Sequence, residues 1–222
     1  MRSSKMLDQD FAFSDAPPQI AVQRLFELSE AELRETVNAC ARAYLSESPL
    51  HPKGAGGSMA WMEGTKVIRS VMIPKGWKIE NPGNQPRVVS PDGKHAITVI
   101  CGDEHTGNPT RTPMTRNKKG RQTSQGVSYN VKQTELFPVS REELQRYAPH
   151  GDQTLWILLF YVDKAAGEVR YELSRPINMS ETEKVDDWEP RFIMPSLKLG
   201  DNIDPQGPEP SSDIDIPVIP RS

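Results

Sequence analysis

Leu155-Trp156-Ile157-Leu158-Leu159-Phe160-Tyr161-Val162 is the longest apolar run in the chain, and no other feature limits the fold as much. Its eight residues fall far short of the roughly 20 that a membrane-spanning helix needs. Side chains alternate between the two faces of a strand, so a strand with no polar position is apolar on both and belongs mid-sheet. Asp163-Lys164-Ala165-Ala166-Gly167 then supplies turn chemistry, and a second arm runs from Glu168 to Pro176, so this region reads as a hairpin. A second hairpin is written into Arg87-Val88-Val89-Ser90 and His95-Ala96-Ile97-Thr98-Val99-Ile100, which flank a Pro91-Asp92-Gly93-Lys94 turn. Arg191-Phe192-Ile193-Met194 offers a further strand.

The N-terminal part follows a helical period instead. Ser29-Glu30-Ala31-Glu32 is a capping box, and Leu33, Val37, Cys40, Ala41 and Tyr44 then recur at helical spacing, which predicts a helix from about Glu30 to Ser46. The Pro- and Gly-rich stretch Pro49 to Gly57 reads as a loop. Ser58 would cap a second helix with Trp61, Thr65, Ile68 and Met72 on its core face, ending before Pro74. Helices first and strands afterwards predict an α+β domain, with two N-terminal helices on one face of a mainly antiparallel sheet of about five strands.

Only 36% of the residues are hydrophobic and 20 of 222 are proline, so a sizeable share should lie in loops and tails. Residues 1–18 read as a flexible leader and residues 19–199 as a single domain. Residues 200–222, rich in proline and carrying Asp201, Asp204, Glu209, Asp213 and Asp215 against Arg221, read as a disordered acidic tail. The first residues lack the apolar core of a secretory signal, and Cys40 and Cys101 make no disulfide framework, so a reducing cytoplasm is expected and no membrane.

Charge is distributed unevenly for a chain whose formal net charge is -3. A basic loop at 106–132 holds Arg111, Arg116, Lys118, Lys119, Arg121 and Lys132 with no acidic residue. Cations mixed with hydroxyl and amide side chains are the groups that contact phosphate oxygens, so Arg111, Arg116, Lys118, Lys119 and Arg121 are the candidate nucleic-acid contacts. Residues 110–125, its central part, include no aromatic residue to stack on bases. Equally open at this level is a solvated loop, or one that folds back on the chain's own acidic tail. Gly54-Ala55-Gly56-Gly57-Ser58, before a helix, is a possible anion site or a flexible connection.

The basic segment runs into Gln133-Thr134-Glu135-Leu136-Phe137. This pentapeptide resembles the clamp-binding peptides, of the Gln-Leu-x-Leu-Phe type, with which bacterial replication and repair proteins dock on the sliding clamp. Thr134 stands where that pattern has Leu. The resemblance implies a polar anchor at Gln133 and apolar anchors at Leu136 and Phe137, on an extended segment laid into a partner's groove. Alternatively, Leu136 and Phe137 pack under the sheet and lead into a short helix capped at Ser140. The acidic end around Asp213-Ile214-Asp215-Ile216 resembles the partner-recruiting tips of bacterial single-strand-binding proteins, and the whole-chain pattern is similar to uncharacterised proteins of bacterial mobile elements and phages.

No catalytic signature accompanies these features. Phosphate-binding glycine loops and nucleophile elbows are missing from the sequence, and no cofactor is expected. Asp92 before a predicted strand and Asp103 and Glu104 at its end loosely resemble the paired carboxylates of restriction-type nucleases, with His105 beside them a possible metal ligand, but the Asp/Glu-x-Lys string is not at the strand's end. The sequence therefore favours a non-enzymatic, DNA-associated accessory protein. A protein-binding adaptor using a sheet edge or the tail is the alternative, and a metal-dependent enzyme such as a nuclease is third.

Overall fold

A computed structural model describes residues 16–134 and 153–200. Three helices come first: α1 (Pro18–Phe26), α2 (Glu30–Leu45) and α3 (Ala55–Met72). A sheet follows with strands β1 (Lys78–Glu80), β2 (Arg87–Val89) and β3 (His95–Cys101), then helix α4 (Arg121–Thr134), then β4 (Thr154–Asp163), β5 (Glu168–Met179), β6 (Val185–Ile193) and β7 (Leu197–Lys198). The architecture is α+β, with four helices described where two were expected and seven strands where about five were.

Strand order is β1-β2-β3-β4-β5-β6, and β7 pairs with β5 beyond the end of β6. Every pairing is antiparallel except β3 with β4, which run parallel from His95↔Thr154 to Cys101↔Phe160. Parallel neighbours need a crossover, and α4 lies in it. The apolar run of β4 sits mid-sheet, as its composition requires. Trp156, Leu158, Phe160 and Val162 point into a core shared with α1, α2 and α3, whereas Leu155, Ile157 and Leu159 point into a second core with Val127 of α4 and Trp188 of β6. Helices therefore cover both faces of the sheet, not one.

The capping box forms as read. Glu32 N donates to Ser29 Oγ at 3.3 Å and Ser29 N donates to Glu32 Oε2 at 2.8 Å, and Leu33, Val37, Cys40 and Ala41 are buried. Helix α3 departs from expectation at its start. It begins at Ala55 behind Gly54, which adopts φ 85° as N-cap, so the glycine stretch lies inside the first turn and not in a loop. Gly56 makes this possible: a Cβ there would stand 2.8 Å from the Tyr44 carbonyl oxygen and from Glu47 Oε2. The same close approach recurs at Gly64, whose Cβ would lie 2.3 Å from Cys40 Sγ. The buried stripe of α3 is thus Gly56, Ala60, Gly64, Ile68 and Met72, and it turns Trp61 away from the core.

Helix α4 is buried along Thr123, Val127 and Asn130, with Gly126 over Leu155. Asn130 is fully buried and bonds three backbone groups. It donates to Leu155 O and Pro176 O, both at 2.9 Å, and accepts from Leu155 N at 3.0 Å. The β4–β5 ladder ends at Ile157↔Ser174, and Pro176 has no N–H to extend it toward Leu155. The Asn130 amide stands in for the missing rung.

Candidate nucleic-acid interface

Residues 102–120, which take in the first half of the basic loop expected over 106–132, are tied to the fold along their length. The Asp103 carboxylate accepts His105 N at 3.1 Å and Met114 N at 3.0 Å. Thr115 N donates to Val185 O at 2.9 Å, Arg116 N to Cys101 O at 3.0 Å and Lys119 N to Glu183 O at 2.7 Å. Trp188 Nε1 donates to Pro113 O at 2.8 Å, and Arg191 donates to Asn108 O at 3.1 Å and Arg111 O at 2.9 Å. The second half of the expected loop is not a loop: α4 begins at Arg121. Its buried residues, Thr123, Val127, Tyr129 and Asn130, mix polar and apolar types, so the face does not stand out as an apolar stripe.

This fixed segment forms one wall of a groove of about 900 Å³, whose other walls are α3 with the end of α2, and residues 83–86. The groove gathers Lys53, Arg116, Lys118, Lys119 and Arg121 against a single carboxylate, Glu47. Four of the five candidate contacts therefore share one site. Arg111 lies outside it, exposed, with its carbonyl held by Arg191. The N-terminal turns of α3 and α4 also end at the groove, and the positive ends of two helix dipoles add to the charge. Glu47 Oε1 accepts from Gly54 N at 3.1 Å, so part of the α3 terminus is already satisfied by that carboxylate.

The cations are held by few counter-charges. Lys118 pairs with Glu183 at 3.1 Å across an exposed surface. Arg116 Nη1 donates to Tyr44 Oη at 3.1 Å and lies 5.9 Å from that ring's centroid, and this hydrogen bond raises the guanidinium's pKa further. Lys119 is set deeper. Burial pulls its ammonium below the ordinary lysine value, the Cys101 thiol opposes this, and Lys184 adds to it. Among the described residues, none of Lys53, Arg116, Lys119 and Arg121 forms a salt bridge to a carboxylate. Cys101 also lines the groove, but burial pushes its thiol up, against the pull of Arg116, so it is no ready nucleophile.

The sequence reading missed four contributors, the cation Lys53 among them. Tyr44 and Trp61, both assigned to core faces, line the groove; Tyr44 also packs against the core, whereas Trp61 is 38% exposed. The small residues Ala60 and Gly64, four apart, were the available sign that the core face of α3 passes beside Trp61 and not through it. Gln85 comes from the segment before β2; its Nε2 donates to Thr123 Oγ1 at 2.9 Å, and its buried Oε1 has no partner in the structure.

The remaining candidates do not converge. Asp92 sits in the turn before β3, accepting Ser90 Oγ at 2.6 Å and Lys94 N at 3.1 Å. Asp103 and Glu104 lie past the strand's other end, and seven residues of β3 separate them from Asp92 by roughly 20 Å. These carboxylates cannot share a metal. No group of three His, Cys, Asp or Glu that could hold a metal ion occurs among the described residues. Gln133 falls in the last turn of α4, so the backbone is helical there where an extended peptide was expected. No glycine or proline interrupts the helix between Val127 and Thr134. Leu136, Phe137 and the helix predicted from Ser140 lie outside the described residues, as do residues 1–15 and 201–222. Among the described residues no helix is long and apolar enough to cross a membrane. Comparison with protein-family models, with curated proteins and with solved structures found no match in any of the three.

Proposed function

We propose that this chain is a nucleic-acid-binding accessory protein, without catalytic chemistry of its own, that grips the phosphate backbone in the groove between α3 and residues 116–123. One observation carries the reading. Lys53, from just before the start of α3, is brought beside the four cations of residues 116–121 in one groove with one carboxylate, and only Lys118 has an acidic partner among the described residues. Concentrating unneutralised charge is unfavourable in the free protein and becomes favourable when a polyanion arrives and its counterions are released. Glu47 is the one carboxylate lining the groove among the described residues. An adaptor reading has less support: β1, one edge of the sheet, is three residues long and carries Lys78 and Glu80, the charged short edge that resists strand addition. Docking on a sliding clamp through Gln133, Leu136 and Phe137 stays a proposal carried by the sequence alone.

The test is binding of a labelled oligonucleotide by fluorescence anisotropy at low salt, comparing the native chain with the variant Arg116→Gln, Lys118→Gln, Lys119→Met, Arg121→Gln. A folded variant, verified by circular dichroism, is expected to lose about 100-fold in affinity, roughly 3 kcal/mol spread over four charges. Undiminished binding by that variant would remove the groove from the account.

A further inference from the structure

A phosphate-binding groove alone would accept duplex or single strand, but this one also carries Trp61. The chain's other tryptophans, Trp77, Trp156 and Trp188, are at most 6% exposed, whereas Trp61 is 38% exposed and lies among the cations. No ring or cation packs on it among the described residues. The groove's other aromatic, Tyr44, is already occupied, with Lys164 Nζ 5.1 Å and the Arg116 guanidinium 5.9 Å from its centroid. Trp61 is therefore the one open aromatic face in the groove among the described residues. Gln85 adds an independent sign. The residue lines the same groove, and its amide oxygen is buried with no hydrogen-bond partner in the structure.

From these we infer that the groove takes a single-stranded segment of nucleic acid, with an unpaired base stacked on Trp61, phosphates on Arg116, Lys118, Lys119 and Arg121, and the Gln85 oxygen accepting from a base or sugar donor. The inference rests on the nucleic-acid reading above and names the ligand's form. A base within a duplex is covered on both faces by its neighbours, so an indole can reach only a base that is splayed out or terminal. Stacking is indifferent to base identity because every base has a π-face, and the groove's phosphate contacts are likewise sequence-blind. Weak sequence preference is the corollary.

The experiment titrates the full chain with a labelled eight-residue oligothymidylate, a duplex of equal length, heparin and adenosine monophosphate, using native protein, Trp61→Ala and Trp61→Phe. The native chain is expected to prefer the single strand to the duplex, with quenching of the exposed part of its tryptophan fluorescence. Trp61→Ala is expected to weaken oligothymidylate binding roughly 5- to 150-fold, the range for losing one stacked base, and heparin binding much less. Trp61→Phe should retain most of the affinity. Equal affinity of native and Trp61→Ala for the single strand, or no preference over duplex, overturns the stacking inference and leaves phosphate binding standing. Displacement of the oligonucleotide by an equal concentration of the mononucleotide overturns it in favour of a nucleotide pocket. Failure of the native chain to bind any of the polymers overturns both this inference and the reading it rests on.

Discussion

Replacing Arg191 with alanine should destabilise the protein by about 3–5 kcal/mol, the cost of leaving a buried carboxylate without its partner. Glu172 is fully buried in β5, and Arg191 reaches it with Nη2 at 2.6 Å and Nε at 3.2 Å. Ser174 Oγ and Gly107 N complete the carboxylate's shell at 3.1 and 3.2 Å. The guanidinium also donates to the carbonyls of Asn108 and Arg111, so one side chain neutralises the buried charge and clamps the segment that leads to the groove wall. Loss of stability and loss of nucleic-acid affinity should therefore appear together. Arg191→Lys keeps the charge but not the planar fork, and should fall between the two. Urea denaturation of the three proteins measures this, and a cost below about 1 kcal/mol for the alanine variant would mean that the pair does not anchor the segment.

The second large effect is expected at Asn130. Asn130→Ala strips partners from Leu155 N, Leu155 O and Pro176 O, all deep between α4 and the sheet. Unsatisfied buried groups cost about 1–3 kcal/mol each, and partial rearrangement should leave a net loss of about 3 kcal/mol. Asn130→Asp should be worse, because a carboxylate cannot donate to the two carbonyls. Hydrogen exchange at the Leu155 amide reports the local change directly: it should accelerate in the alanine variant, and unchanged protection would show that the amide is not the missing rung. Since α4 starts at the groove, loosening it should also weaken the cationic wall formed by Arg121.

How these anchors escape a reading of the sequence is instructive. The two hairpins and the capped helix were legible because each rests on local rules: a Pro-Asp-Gly turn, a run with no polar position, a Ser and a Glu three apart. Helix α4 was not, because its buried residues, Thr123, Val127, Tyr129 and Asn130, mix polar and apolar types, and an asparagine that replaces a ladder hydrogen bond looks like any surface residue. Missing α4 hid the parallel β3–β4 pairing, since a crossover was not available to justify it. The cluster of cations was visible as composition, but its shape was not. Lys53 and Trp61 join Arg116 only because Gly56 and Gly64 let α3 lie close against α2, a tertiary fact carried by the absence of side chains. Arg111 failed to join for the converse reason: the Glu172–Arg191 pair holds its backbone away from the groove.

The most direct measurement is the salt dependence of oligonucleotide binding by the native chain. Four or five phosphate contacts to a single strand should give log K falling against log salt with a slope of about −3, the counterions released per contact being roughly 0.7. A slope near −3 that falls to about −1 or shallower when Arg116, Lys118, Lys119 and Arg121 are neutralised, leaving Lys53 in the groove, is the result predicted here. A flat dependence, or no binding at the lowest salt, would contradict the claim that this groove exists to hold a nucleic-acid backbone.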